Sequence, residues 1–303
     1  MSASSLTRSE IPPIYAAIDI GSNAARLLIS QVIFSNEQPF FKKILLVRVP
    51  LRLGFDVFAN QYIPEGKADM LIKTCMAYRN LLDAYQIKSC PACATSAMRD
   101  AKNGKKLVEK IREKANIDVS IISGMEEADV LFNTQIAEHL EKGKTYLYFD
   151  IGGGSTEITV FNENERIDAI SLNIGTIRIL QNGVTDDEWS RMKKWLKAIH
   201  KRFPKIEGIG SGGNINRILK IANLKPGKPL SVSAIKGIYK SLSGMSLNER
   251  MMIYSLKPDR ADVIVPAGEI VLKILEWTKI SVIHVPKMGL ADGLVRQQFN
   301  QNQ

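Results

Sequence analysis

Cysteine and histidine are scarce in this chain, with three of each in 303 residues. Cys75, Cys90 and Cys93 form an odd, low set, which argues against a secreted disulfide scaffold and for a reducing cytoplasm. Cys90 and Cys93 have CxxC spacing, yet a zinc site needs a second ligand pair, and His139, His200 and His284 stand far apart in sequence. The cysteines therefore read as structural or incidental rather than redox-active. No apolar run approaches the roughly 18 residues of a membrane span, so no membrane partner is expected. Met1 to Pro13 are polar and lack the apolar segment of a secretion signal, and residues 1–12 read as a flexible tail. There is no nucleic-acid-binding motif and no basic stripe interleaved with aromatics, so nucleic acid is not an expected partner.

Positive charge is plentiful. Lys plus Arg total 41 against 31 Asp plus Glu, a formal charge of +10. Such a surface concentrates anions and speeds their capture, but charge alone does not choose among nucleic acid, acidic lipid and polyphosphate. The chain is long enough for two ordinary domains, and 45% hydrophobic with 24% charged residues suits a globular protein.

Strand candidates at Ile14–Ile20, Ala24–Ile33 and Phe40–Leu51 are joined first by the turn Asp19-Ile20-Gly21-Ser22-Asn23. The arrangement returns at 145–161, where Asp150-Ile151-Gly152-Gly153-Gly154-Ser155 lies between Tyr146–Phe149 and Thr156–Phe161, with a further strand at Arg166–Leu172. Twice, an acid ends a buried strand and a small-residue turn follows, although aligned identity is too low to claim duplication. Helices are expected at 65–85, 98–115, 124–141, 185–203, 213–222, 232–243, 246–255, 260–278 and 289–299, with strands at 88–95, 118–122 and 281–285. Alternating strands and helices imply α/β architecture with mixed sheets covered by helices.

Two acid-glycine turns facing each other can wrap phosphate oxygens with amides and with the hydroxyls of Ser22, Ser155 and Thr156. Asp19 and Asp150 would then hold Mg²⁺, which prefers oxygen ligands. Either turn alone is more often only a turn.

These turns resemble the two phosphate loops of the exopolyphosphatase and guanosine pentaphosphate phosphohydrolase family. Four more segments match in order: Ala94–Asp100, Ile122–Ala128, Gly210-Ser211-Gly212-Gly213-Asn214 and Arg260-Ala261-Asp262-Val263-Ile264. The resemblance implies the two-domain actin-like (ribonuclease H-like) ATPase fold of actin, heat-shock ATPases and sugar kinases, with the active site in the interdomain cleft. One domain would comprise 13–123 plus 291–303, the other 124–290. It implies Mg²⁺ as cofactor, Glu127 as catalytic carboxylate and Arg99 as active-site arginine. Gly21, Ser22, Asn23, Gly152, Gly153, Gly154, Ser155, Thr156, Gly212 and Gly213 would bind phosphate, and Asp19, Asp150 and Glu157 would serve the metal.

Blander readings stay beside these. Glu126-Glu127 suits a helix's first turn, Arg99 could pair with Asp100 or Asp129, Glu157 could face outward on an alternating strand, and Gly212-Gly213 could simply start a helix. No His-Asp dipeptide occurs, so the chain resembles the short form of the family. Ala24-Ala25-Arg26 departs from the usual first loop.

The expected substrate is inorganic polyphosphate, cut at its end by magnesium-assisted water attack. Guanosine pentaphosphate, hydrolysed in stringent signalling, is the alternative, and a small-molecule kinase of the same superfold is a more distant one. The resemblance leaves a homodimer open. Lys193, Lys197 and Lys201 make a basic stripe on one helix, either a guide for a long polyanion or a solvated face.

Overall fold

The computed structural model describes residues 12–35, 38–132, 141, 143–162, 165–224, 228–286 and 288–302. Most of the expected tail, and 133–140 of the helix expected at 124–141, lie outside the described residues. The first half runs β1 (Ile14–Ile20), β2 (Ala25–Ser35), β3 (Gln38–Val49), α1 (Leu53–Asn60), α2 (Glu65–Ala84), β4 (Ala92–Ala94), α3 (Ser96–Asp100), α4 (Gly104–Ala115), β5 (Val119–Ile121) and α5 (Gly124–Phe132). There follow β6 (Thr145–Ile151), β7 (Thr156–Asn162), β8 (Glu165–Leu172), α6 (Thr176–Leu180), α7 (Asp186–Arg202), β9 (Glu207–Ser211) and α8 (Gly213–Ile221). The chain closes with β10 (Leu230–Ser231), α9 (Val232–Ser243), α10 (Leu247–Tyr254), α11 (Pro258–Ala261), α12 (Ile264–Thr278), β11 (Val282–His284) and α13 (Leu290–Gln301).

Two mixed sheets result, ordered β3-β2-β1-β4-β5 and β10-β11-β9-β6-β7-β8. Removing β10 leaves the same topology twice. In each sheet three antiparallel strands lead, and the first of them also pairs in parallel with a strand that pairs in parallel with the next. The repeat that identity could not carry is thus explicit in strand order. It places the turns after Asp19 and after Asp150 at equivalent points.

Three cores hold this arrangement. One packs a face of the first sheet against its helices, with Ile18, Leu27, Leu71, Tyr78 and Ile111 inside. A second does the same for the other sheet, around Phe149, Ile158, Leu196 and Ile274. The third joins the sheets' remaining faces through α5 and α13, where Leu28, Leu131, Tyr148, Leu294 and Val295 meet. Each fully buried large aliphatic side chain contributes about 1.5–3 kcal/mol, so the third core fixes how the two loops face one another.

Local chemistry explains most boundaries. The Thr185 hydroxyl accepts from Glu188 N to start α7, whose first turn carries Asp186, Asp187 and Glu188 and whose last carries His200, Lys201 and Arg202, the favourable polarity for the helix dipole. Its buried face is Met192, Leu196 and Ile199, as the spacing requires. Ser246 and Glu249 close a capping box on α10.

Several expectations need correction. The helix expected at 98–115 is two helices, because Ala101 is extended and Gly104 packs so near the Met98 carbonyl that a Cβ would sit 2.1 Å from it. The helix expected at 260–278 is likewise split, into α11 and α12, around Asp262 and Val263; Asp262 pairs with Arg52. Helix α1 was not expected, and neither was β9, whose Glu-Gly-Ile-Gly-Ser composition is poor for a strand. The outward reading of Glu157 fails because β7 is buried on both faces and Glu157 is 1% exposed.

Candidate active site

Both loops turn their carbonyls backward. In the first, Ser22 O accepts from Gly54 N and Asn23 O from Arg52 N, each at 2.9 Å. In the second, Gly152 O accepts from Thr176 N at 3.1 Å, Gly153 O from Ile177 N at 2.8 Å and Gly154 O from Arg178 Nε at 2.8 Å. Among the described residues, the amides of Ser22, Asn23, Gly153 and Gly154 have no protein acceptor. Turns with satisfied carbonyls and unsatisfied amides are anion cradles. They close on each other: a Cβ on Gly153 would lie 3.0 Å from Ser22 Cβ, and one on Gly154 would lie 2.2 Å from Phe58 Cζ.

Between the sheets is a cleft of about 760 Å³. Gly21, Ser22, Asn23, Gly152, Gly153, Ser155, Gly212, Gly213, Asp19, Asp150 and Glu127 all line it. Gly154 and Thr156 are set back; the Thr156 hydroxyl donates to Ile174 O at 2.6 Å instead. Gly212, at φ 98, caps α8 while lining the cleft, so the helix-start and cleft-lining readings hold together.

The acids divide unequally. Asp19 is paired across the β1–β2 ladder with Arg26, Nη1 to Oδ2 at 2.5 Å. The equivalent partner of Asp150 across β6–β7 is Glu157. One half of the repeat neutralises its acid and the other doubles it. Glu126 and Glu127 also part company. Glu126 caps α5 by accepting from Ser123 N at 2.7 Å, whereas Glu127 points inward. Glu127 Oε2 and Asp150 Oδ1 are buried without a protein partner.

Burial pushes the Glu127 carboxyl well above its ordinary range, and Glu157, Asp150 and Asp19 add to the rise while Arg99 opposes it. Glu157 is pushed up to about 7, by burial first and Asp150 second, against hydrogen bonds from Ser155 and Ser171. Asp150 is raised by burial, with Ser211 and Arg26 opposing. Arg99 is set behind these acids, donating to Ile122 O at 2.9 Å. Asp129, offered as its alternative partner, pairs with Arg166.

An unneutralised set of buried oxygens suits a hard cation such as magnesium. Among the described residues no three His, Cys, Asp or Glu side chains are already gathered at ligand distances. The donor chemistry fits at Asp150 and Glu157 better than at Asp19, whose charge Arg26 takes up.

Sequence reasoning missed several cations. Arg26, Lys43, Arg48, Lys220 and Arg260 line the cleft. Arg260 lies flat on Gly213, where a Cβ would be 2.6 Å from both Nη atoms, and donates to Asn214 Oδ1 at 3.3 Å. Burial, with Arg48 and Arg26 nearby, brings it down to about 9. Arg48 meets Asp259 at 2.6 Å. The seven-residue offset from Asp19 to Arg26, matching that from Asp150 to Glu157, was the available signal for Arg26. By contrast, no residue of α7 lines the cleft, and Lys193 sits over the Trp277 ring at 5.9 Å. The three thiols are inert by environment: burial pushes Cys75 and Cys90 up to about 12 and Cys93 to about 11.

A duplicated sheet bearing two facing amide loops over buried carboxylates defines a phosphate-handling cleft in a two-sheet α/β protein. The chain belongs to the Ppx/GppA phosphatase family, whose model matches residues 32–301. It is 32% identical over 291 residues to the bifunctional 3-dehydroquinate synthase/phosphatase of Fusobacterium nucleatum, covering 86% of this chain but only 43% of that protein's length. It is 25% identical to exopolyphosphatase 2 of Mycobacterium tuberculosis, over 92% of this chain and 96% of that one. An exopolyphosphatase structure from Cytophaga hutchinsonii shares the fold at a TM-score of 0.83 with 23% identity, covering 95% of this chain and 98% of that one.

Proposed function

We propose that the protein is an exopolyphosphatase that releases terminal orthophosphate from inorganic polyphosphate with Mg²⁺. The observation that carries this reading is the pairing of exposed loop amides with the partnerless Glu127 and Asp150 oxygens in one cationic cleft. The terminal phosphoryl group lies between the loops, its oxygens held by the amides of Ser22, Asn23 and Gly153. Glu127, its carboxylate made more basic by burial, accepts a proton from water aligned for in-line attack. Arg260, on the cleft wall, offsets charge on the phosphoryl oxygens, and Arg99, behind the acids, offsets the charge of Glu127. Asp150 with Glu157 would hold magnesium, which when bound supplies Lewis-acid neutralisation of phosphoryl charge. The leaving phosphate chain is already a good leaving group and needs no strong acid. In this reading the sheets define two domains, 13–123 with 291–303 and 124–290, working in the cytoplasm.

Guanosine pentaphosphate is the second reading. What favours it is apolar surface inside the same cleft, where Leu46, Leu219, Leu224 and Met288 could face a base; a bare phosphate chain has no use for such walls. Phosphate release from long polyphosphate, short polyphosphate, guanosine pentaphosphate and ATP, compared with Mg²⁺, tests both. Fastest turnover of long polyphosphate supports the first reading, and preference for the nucleotide supports the second. Release from none of them overturns both.

A further inference from the structure

Arg178 stands in none of the motifs, yet its side chain joins the second loop to the first half of the repeat. Its Nε donates to Gly154 O at 2.8 Å, and its Nη2 meets Asp100 Oδ2 at 2.6 Å. Its guanidinium stacks over the Phe58 ring at 4.1 Å. Only 13% of the side chain is exposed. Gly154 and Arg178 belong to the second sheet's half of the repeat; Asp100 and Phe58 belong to the first. Asp100 ends α3, the short helix that carries Arg99, and lies 3.9 Å from Arg99 Nε.

The consequences for the loop are directional. Thr176 N and Ile177 N hold the carbonyls of Gly152 and Gly153, but among the described residues no backbone amide reaches Gly154 O; the Arg178 side chain does. With that carbonyl pinned back, the planar unit joining Gly154 C=O to Ser155 N–H cannot rotate to present oxygen toward an incoming anion, where it would repel phosphate, and the Ser155 amide faces the other way. Phe58 and Ser96 crowd the same glycine, since a Cβ on Gly154 would strike both Phe58 Cζ and Ser96 Oγ, at 2.2 and 2.4 Å. A planar fork reaches a carbonyl and a carboxylate together while stacking on a ring, which a lysine cannot do.

We infer that Arg178 is a positioning residue for the reaction: it sets the second loop's amides toward the phosphoryl group and, through Asp100, ties that loop to the helix bearing Arg99. It touches no reacting atom. The inference rests on the phosphoryl-hydrolysis reading above, and its test separates the two.

The experiment measures kcat, KM and melting temperature with Mg²⁺ for the wild type and for Arg178→Gln, Arg178→Lys, Asp100→Asn, the Arg178→Gln/Asp100→Asn double variant and Glu127→Gln. The substrate is the member of the panel above that the wild type turns over fastest. Displacing a catalytic loop by an ångström lowers rate by up to about a hundredfold. Arg178→Gln should therefore lose about tenfold or more in kcat, with KM moving less than about threefold. Arg178→Lys retains the charge beside Asp100, so it should melt with the wild type while kcat stays depressed. The double variant should lose no more kcat than the worse single, because both residues act as one link. Wild-type kcat in Arg178→Lys, or independent additive losses in the double variant, overturns the positioning role. Normal turnover in Glu127→Gln overturns instead the reading on which it rests.

Discussion

Replacing Glu157 with glutamine should make the metal-free protein more stable and less active, and the structure gives the size and pH window of the gain. Glu157 is 1% exposed, faces Asp150 across the β6–β7 ladder and accepts from Ser171 Oγ at 3.0 Å. Its carboxyl moves from an ordinary 4.5 to about 7, which corresponds to about 3 kcal/mol against the ionised form as an upper bound. The folded protein thus holds a proton that the unfolded chain releases near 4.5. Stability is intact below that pH and falls as pH rises toward 7. Glutamine keeps the shape and an acceptor for Ser171 without the charge. Its advantage should be absent at pH 4.5 and full at pH 8, where a gain of at most about 3 kcal/mol corresponds to a rise in melting temperature of at most roughly 5 °C for a chain of this size. Thermal unfolding of both proteins in EDTA at the two pH values measures this. Magnesium should then raise the wild type more than the variant, since the ion has one fewer carboxylate to neutralise in the latter. Equal melting temperatures at pH 8, or the same gain at both pH values, would refute the claim that Glu157 is charged against its environment.

The remaining predictions concern the cleft walls. Gly213→Ala would drive a methyl group into the Arg260 guanidinium, so KM should rise about tenfold while the fold survives; an unchanged KM removes Arg260 from substrate binding. The Lys193/Lys197/Lys201→Ala variant should leave KM for long polyphosphate unchanged, because α7 contributes nothing to the cleft, whereas Lys43→Ala with Lys220→Ala should raise it and weaken its salt dependence. A rise in the first variant and none in the second would reverse that assignment. Cys90→Ser with Cys93→Ser should keep wild-type turnover, and iodoacetamide should label the native protein slowly at pH 8, as thiols held near 12 and 11 require. Rapid labelling would contradict the burial of Cys93 and the raised thiol of half-buried Cys90.

What the sequence displayed, and what it hid, follow from how local each signal is. Both acid-glycine turns were legible because an acid ending a buried strand and a glycine-rich turn are written in adjacent residues. The duplication was visible only as a pattern, and strand order had to supply the rest. Arg26 and Arg178 were overlooked because their roles depend on partners brought near by pairing and packing. Asp19 lies directly across the ladder from Arg26, but Asp100 reaches Arg178 only when the two sheets meet. The Lys193 stripe illustrates the converse. Its periodicity is real, but the apolar face on the same helix packs toward α12, which leaves the lysines outside the cleft. The helix breaks at Ala101 and Asp262 each have a local signal that periodicity overrode: Gly104 opens α4 against the Met98 carbonyl, and Pro266, in the first turn of α12, can neither donate to nor pack against the Asp262 carbonyl four residues back.

The central claim is that Glu127, buried with its Oε2 unpartnered beside two amide loops, activates water against a terminal phosphate of polyphosphate. The most direct measurement is phosphate release from long polyphosphate in Mg²⁺ by the wild type and by Glu127→Gln, with substrate binding followed in parallel. The account predicts steady release by the wild type, and a variant that still binds the chain but releases phosphate at least about a hundredfold more slowly. Turnover in the variant within a few fold of the wild type, or no release by the wild type, would contradict it.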